Sequence, residues 1–162
     1  MKLLRILVFL SFATAQEVDT LWTKSINVGG DFNMPRNIIS TSDDNYLIVG
    51  ITEFSLNSQN LFLIKFDENG DTIWFNHYDN YEYDEWWYPH LIEIDNTYYL
   101  CARSIVMAIN SNGELLWQNN YENVWYFRGI NKTSNNELIL TGTEYTYFDG
   151  GNKFILYKIA TN

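Results

Sequence analysis

The chain has 162 residues, of which 46% are hydrophobic and 17% aromatic, enough apolar content for a packed domain. Its formal net charge of -10, with no cluster of Lys and Arg, argues against binding to a phosphate backbone. One cysteine, Cys101, excludes an internal disulfide framework, so any fold must be held by packing.

The chain opens as an export signal. Lys2 and Arg5 supply the positive start, Ile6 to Phe12 the apolar segment and Ala13-Thr14-Ala15 the cleavage site, which assigns 1–15 to a signal peptide. The apolar run is well short of the ~20 residues a spanning helix needs, so no membrane span is expected in the mature chain. The expected location is secreted, cell-surface or periplasmic.

Residues 16–162 are organised around a repeat. Leu61 to Trp74 (LFLIKFDENGDTIW) returns as Ile105 to Trp117 (IVMAINSNGELLW), and its first half returns as Phe154 to Asn162 (FILYKIATN). Each full copy reads as an apolar strand, a turn and a Trp-bearing strand. Asn69-Gly70 and Asn112-Gly113 are expected at hairpin tips with the positive φ angles of a two-residue turn. Trp22, Trp74 and Trp117 are 52 and 43 residues apart. From each Trp to a small residue in a later strand (Gly50, Ala102, Gly142) is 28, 28 and 25 positions. A small residue inside a strand predicts close approach of a neighbouring sheet.

Polar turns at Ser42 to Asn45, Asp95 to Thr97 and Ser134 to Asn136 complete the division. The first copy predicts strands at Arg36 to Thr41, Asn45 to Thr52, Asn60 to Asp67 and Asp71 to Tyr78, and no helix is expected in the mature region. The resulting fold class is all-β, with about three β-propeller blades of four antiparallel strands at approximately 19–78, 79–119 and 120–162, in an open or incomplete ring. Trp74 and Trp117 are expected to be buried, locking blade to blade.

The pattern of apolar strand, D/N-x-N-G, Trp, loop and strand with a small residue resembles the repeats of secreted bacterial β-propeller proteins. More loosely, it is similar to the tryptophan-docking blades of quinoprotein-like propellers. The resemblance spans Asp19 to Asn162 and implies a fold; propellers host enzymes, lectins and scaffolds alike. No cofactor-binding position of the quinoprotein enzymes transfers to a residue here.

The stretch that departs most from the repeat is Asp79 to His90 (DNYEYDEWWYPH), read as an inter-blade loop. Its Tyr81, Tyr83, Asp84, Trp86 and Trp87, with Trp125 and Tyr126 at the matching place in the next copy, are the candidate binding residues. Aromatic rings beside carboxylates can stack on sugars and fix their hydroxyls. The competing reading is that these aromatics pack between blades while the acids solvate the loop. Arg36 and Arg128 occupy corresponding places in their copies, with Tyr88 between them in the series; they could face a central cavity, but the favoured reading is a hydrogen-bonded structural arginine.

No catalytic residue, metal or cofactor is assigned. Asp79, Glu82, Asp84 and Glu85 lack the glycine-containing spacing of a calcium loop, and His77 and His90 have no nearby Cys for zinc. Cys101 sits in an apolar strand. The expected function is an exported binding or scaffolding module for a glycan or a protein, with no nucleic acid. The alternative is a fragment of a secreted carbohydrate-active propeller enzyme. Trp22 is expected on a lone outer strand, which leaves either missing C-terminal blades, the favoured arrangement, or a homodimer in which each copy lends that strand to the other.

Overall fold

The computed structural model describes residues 19–55, 58–82, 88–146 and 151–161, so the signal segment lies outside the described residues. The described chain is all-β. Sheet one contains β1 (Phe32–Ser40), β2 (Tyr46–Ser55), β3 (Ser58–Phe66) and β4 (Thr72–Glu82). Sheet two contains β5 (His90–Ile94), β6 (Thr97–Ala102), β7 (Ile105–Asn110) and β8 (Leu115–Asn120). Sheet three contains β9 (Val124–Lys132), β10 (Leu138–Thr146) and β11 (Gly151–Ile159). Each is an antiparallel meander in chain order, and none closes into a barrel. The first strands, β1, β5 and β9, are neighbours along one side of the stack. This is an open series of three blade-like sheets.

Alternation along the strands produces the layering. In β7, Ile105, Met107 and Ile109 face sheet one, where they join Leu47, Val49, Leu61 and Leu63. Val106 and Ala108 point the other way and pack with Val124, Phe127, Leu138 and Leu140 of sheet three. Sheet two is therefore buried on both faces, which is why β6 and β7 read as continuous apolar runs. Each fully buried Leu or Ile stabilises by roughly 1.5–3 kcal/mol, so these two layers dominate the fold energy.

The repeat motif forms the hairpins, but by a different turn from the two-residue one. Asp67 Oδ1 accepts hydrogen bonds from the Asn69 and Asp71 amides at 2.9 and 2.8 Å, and the Gly70 amide donates to the Asp67 carbonyl at 3.0 Å. Asn110 does the same for Asn112 and Glu114 at 3.0 and 2.9 Å. Only Gly70 and Gly113 are left-handed, at φ 75° and 84°, and a bulge follows each turn. The first Asp or Asn of the motif thus holds the loop, and glycine supplies the conformation that a side chain would strain. The two-residue turn occurs instead at Asp95-Asn96, both with positive φ, between Ile94 and its partner Thr97.

Gly50 and Gly142 are small for a reason internal to their own sheets. A β-carbon on Gly50 would collide with the Phe62 ring and the Met34 carbonyl, and one on Gly142 would stand 2.7 Å from the Tyr126 carbonyl. In both sheets the first strand bulges at this point. Register jumps from Pro35 to Asn37 opposite Gly50, and from Phe127 to Gly129 beside Gly142, leaving Arg36 and Arg128 as the extra residues. The neighbouring sheet is not what these glycines accommodate.

Trp74 and Trp117 are partly rather than fully buried. Trp74 donates from Nε1 to the Ser111 carbonyl at 2.9 Å and leans on Tyr98, with ring centroids 6.4 Å apart. Asn76 Nδ2 and the Tyr78 hydroxyl both donate to the Gly113 carbonyl, at 2.8 and 2.7 Å. Burial pushes the Tyr78 phenol up to about 12, so it keeps its proton for that bond. β4 therefore grips the β7–β8 turn of the next sheet. Trp117 differs, since the Tyr99 ring it meets at 6.1 Å belongs to its own sheet, and it packs against the layer shared with sheet three.

Candidate functional site on the first strands

The bulges bring together residues that the sequence left scattered. Arg36 projects from the β1 bulge so that its guanidinium lies 5.0 Å from the centre of the Tyr88 ring, just ahead of β5. Arg128 projects from the β9 bulge and covers Tyr126 at 4.8 Å. His90, the first residue of β5, lies close enough to Arg128 to feel its charge. Burial first, and that charge second, hold the His90 imidazole below its usual range, leaving it neutral at neutral pH. Three adjacent first strands thus present two fixed cations, an uncharged imidazole and exposed aromatic surface, since Tyr88 and Trp125 are 46% and 41% exposed.

Two polar atoms here lack partners. Arg36 Nε and Asn37 Oδ1 are buried and make no hydrogen bond among the described residues. Arg36 and Asn37 line, with Pro35, Ile38 and Ile48, an open cleft of about 410 Å³. A buried donor and acceptor left unmet each cost roughly 1–3 kcal/mol, a deficit that a ligand in the cleft relieves only if the two side chains turn toward it.

The C-terminal ends of the same strands are different in kind. A second cleft of about 420 Å³ includes Ser42, Glu93 and Lys132, but its carboxylate is already engaged. Ser42 donates to Glu93 from both its amide and its hydroxyl, each at 2.7 Å, joining sheet one to sheet two. Asn136 Nδ2 donates to Asp95 at 2.9 Å, joining sheet two to sheet three. These contacts read as latches between blades.

The sequence-derived binding residues divide. Tyr81 falls within β4, which runs on to Glu82, so the first part of the supposed loop is strand. Tyr83, Asp84, Trp86 and Trp87 lie outside the described residues. Trp125 and Tyr126 are on β9 rather than a loop, and Trp125 is the extra residue of a second bulge. Trp125 is exposed, whereas Tyr126 is buried beneath Arg128. Cys101 is fully buried and its thiol is pushed up to about 12 by that burial, the state of an inert core cysteine. Among the described residues no three His, Cys, Asp or Glu side chains converge as a metal site would require.

No family model matches the chain, and no curated protein matches it in sequence. Among solved structures it is similar to a protein of unknown function from Bacteroides caccae, with a TM-score of 0.55 at 12% identity. That match covers 83% of this chain and 49% of the other, so the chain spans about half the length of the structure it resembles. At such identity the likeness shows the fold alone.

Proposed function

We propose that this chain is an exported binding module of the β-propeller type, without catalysis, and that it takes a carboxylate-bearing glycan at the Arg36–Tyr88–Arg128 cluster on the first strands. The observation that carries the reading is the unmet donor and acceptor, Arg36 Nε and Asn37 Oδ1, set on a bulge beside an open cleft. A guanidinium matches a carboxylate by forked, charge-assisted hydrogen bonds, and it keeps its charge at any physiological pH. In a chain of net charge -10, two arginines at equivalent bulges supply local positive charge for an anionic ligand.

Exposed Tyr88 and Trp125 supply faces on which sugar rings stack. Trp86 and Trp87 immediately precede Tyr88 in the sequence and are kept as binding candidates. The resemblance to secreted propeller repeats supports export and the propeller assignment.

The test is a glycan array that includes uronate-containing oligosaccharides, run alongside reducing-sugar release from the same panel. Capture of acidic glycans without release is expected. Arg36→Ala with Arg128→Ala should lower affinity at least ~10-fold while leaving thermal stability nearly unchanged, and Trp86→Ala with Trp87→Ala should weaken capture further. Sugar release would turn the reading to the carbohydrate-active enzyme fragment. Capture confined to protein ligands would remove the glycan.

A further inference from the structure

Lys24, Lys65 and Lys158 each pair with a carboxylate, that of Asp71, Asp43 and Glu137 respectively. Arg36, Arg128 and Lys132 have no carboxylate partner among the described residues, and all three stand on first strands, Arg36 on β1 and the other two on β9. These strands and β5 are each the edge of their sheet, and they lie side by side. They also run the same way. Tyr88, just ahead of β5, meets Arg36, while Glu93, near the end of β5, holds Ser42 just beyond the end of β1. Arg36 precedes Ser40, and Arg128 precedes Lys132, by four residues, which is about 13 Å of extended strand.

The cleft of about 420 Å³ at the C-terminal ends takes residues from all three strands: Ile39 and Ser40 from β1, Ile92 and Glu93 from β5, Asn131 and Lys132 from β9. Ile39 and Ile92 are half-buried and offer apolar surface, whereas Ser40, Asn131 and Lys132 are exposed. Asn131 Oδ1 accepts the Lys132 amide at 2.8 Å, so its amide nitrogen is the group left to donate. Each Glu93 oxygen accepts one hydrogen bond from Ser42 and keeps capacity for a ligand hydroxyl, while its charge turns a ligand carboxylate toward Lys132. Apolar surface, an acceptor, an amide donor and an unpaired ammonium match the C–H face, the hydroxyls and the carboxylate of a uronate ring.

We infer that the ligand is an oligosaccharide with at least two carboxylates, one at the Arg36–Arg128 cluster and another at Lys132, lying along the edges of the three first strands. The inference rests on the reading of the arginine cluster as an acidic-glycan site. A single sugar ring is shorter than the ~13 Å of strand between the two positions, so only a chain of sugars occupies both. Once one carboxylate is held, the other meets Lys132 as an intramolecular contact, which raises affinity without a new attraction at the arginines. Lys132 thereby selects for chain length.

Titration calorimetry with galacturonate and with hexagalacturonate tests this. The unmodified chain should bind the hexamer at least ~10-fold more tightly than the monomer. Lys132→Ala, a change at an exposed position, should reduce that ratio at least ~5-fold, and Lys132→Arg should restore most of it. Equal affinity for the two ligands, or a loss in Lys132→Ala that is the same for both, overturns the inference and leaves the arginine site standing. Failure of either ligand to bind, or binding that survives Arg36→Ala with Arg128→Ala, overturns the arginine site and the inference with it.

Discussion

Asp43→Ala is expected to destabilise the chain by about 2 to 3 kcal/mol, whereas Lys65→Met should cost less than about 1 kcal/mol. Lys65 is the last residue but one of β3 and is only 3% exposed, with Nζ 2.6 Å from Asp43 and 5.5 Å from the centre of the Tyr98 ring. Asp43 reaches it from the β1–β2 turn, where Thr41 Oγ1 also donates to it at 2.5 Å. Removing the carboxylate strands a buried ammonium against an aromatic ring, while methionine fills the same space without a charge. Urea denaturation of both variants checks this, and equal losses would show that the pair acts through packing alone.

The same pair sets a pH dependence. Burial would raise the Asp43 carboxyl, but hydrogen bonds from Lys65, Thr41 and Asn45 outweigh it and hold the group at about 2, below its usual 3.8. With the folded value depressed, this stabilisation is present above about 3.8 and is lost as pH falls through about 2. Burial would lower the Lys65 ammonium, but the Asp43 carboxylate raises it above 10.5, so its share is lost only when pH rises beyond that folded value. The pair is intact across the neutral range.

Gly50→Ala is expected to cost about 3 kcal/mol or to prevent folding, the upper range for overpacking, because the new methyl meets a backbone carbonyl as well as the Phe62 ring. Relief would require the β1 bulge to open, which would also displace Arg36 from Tyr88. Gly142→Ala should be milder, since its nearest contact is 2.7 Å, and Gly151→Ala, with nothing within 4 Å, serves as the neutral control. Thermal melts of the three variants give the ranking, and a Gly50→Ala chain as stable as Gly151→Ala would contradict the bulge account.

The hairpins were legible in the sequence because Asp67, Asn110 and their glycines do their work locally, within five residues. The three-sheet division was legible for the same reason, since alternation in β7 and the run in β6 are local patterns. Three features depend on pairing that a sequence does not display. The bulges at Arg36 and Arg128 exist only relative to β2 and β10, so Gly50 and Gly142 pointed to the right positions for the wrong reason. β1 begins at Phe32, ahead of Pro35, because the β2 edge continues past the point where the apolar pattern of the first strand fades. The Trp22 run, expected as a strand, has no strand partner among the described residues and is held by its side chains instead.

The candidate site was less legible than the fold. Its aromatic members stood out by composition, and Arg36 and Arg128 by their matching places in the repeat, but nothing local said that His90 and Asn37 would join them. Lys65 is visible in the sequence as a lone charge inside LFLIKF, the mark of a buried ion pair, but its partner Asp43 is set by the turn and not by a local pattern.

The most direct measurement is the nitrogen–proton NMR correlation of the arginine Nε–Hε groups during titration with an oligogalacturonate. If the Arg36–Arg128 cluster on the first strands is the binding surface, the Arg36 signal shifts to saturation and the Arg128 signal moves with it, since a ligand carboxylate takes up the donor that the fold leaves unmet. Binding that leaves both arginine signals in place, or no binding of acidic glycans at any concentration reached, would contradict the account.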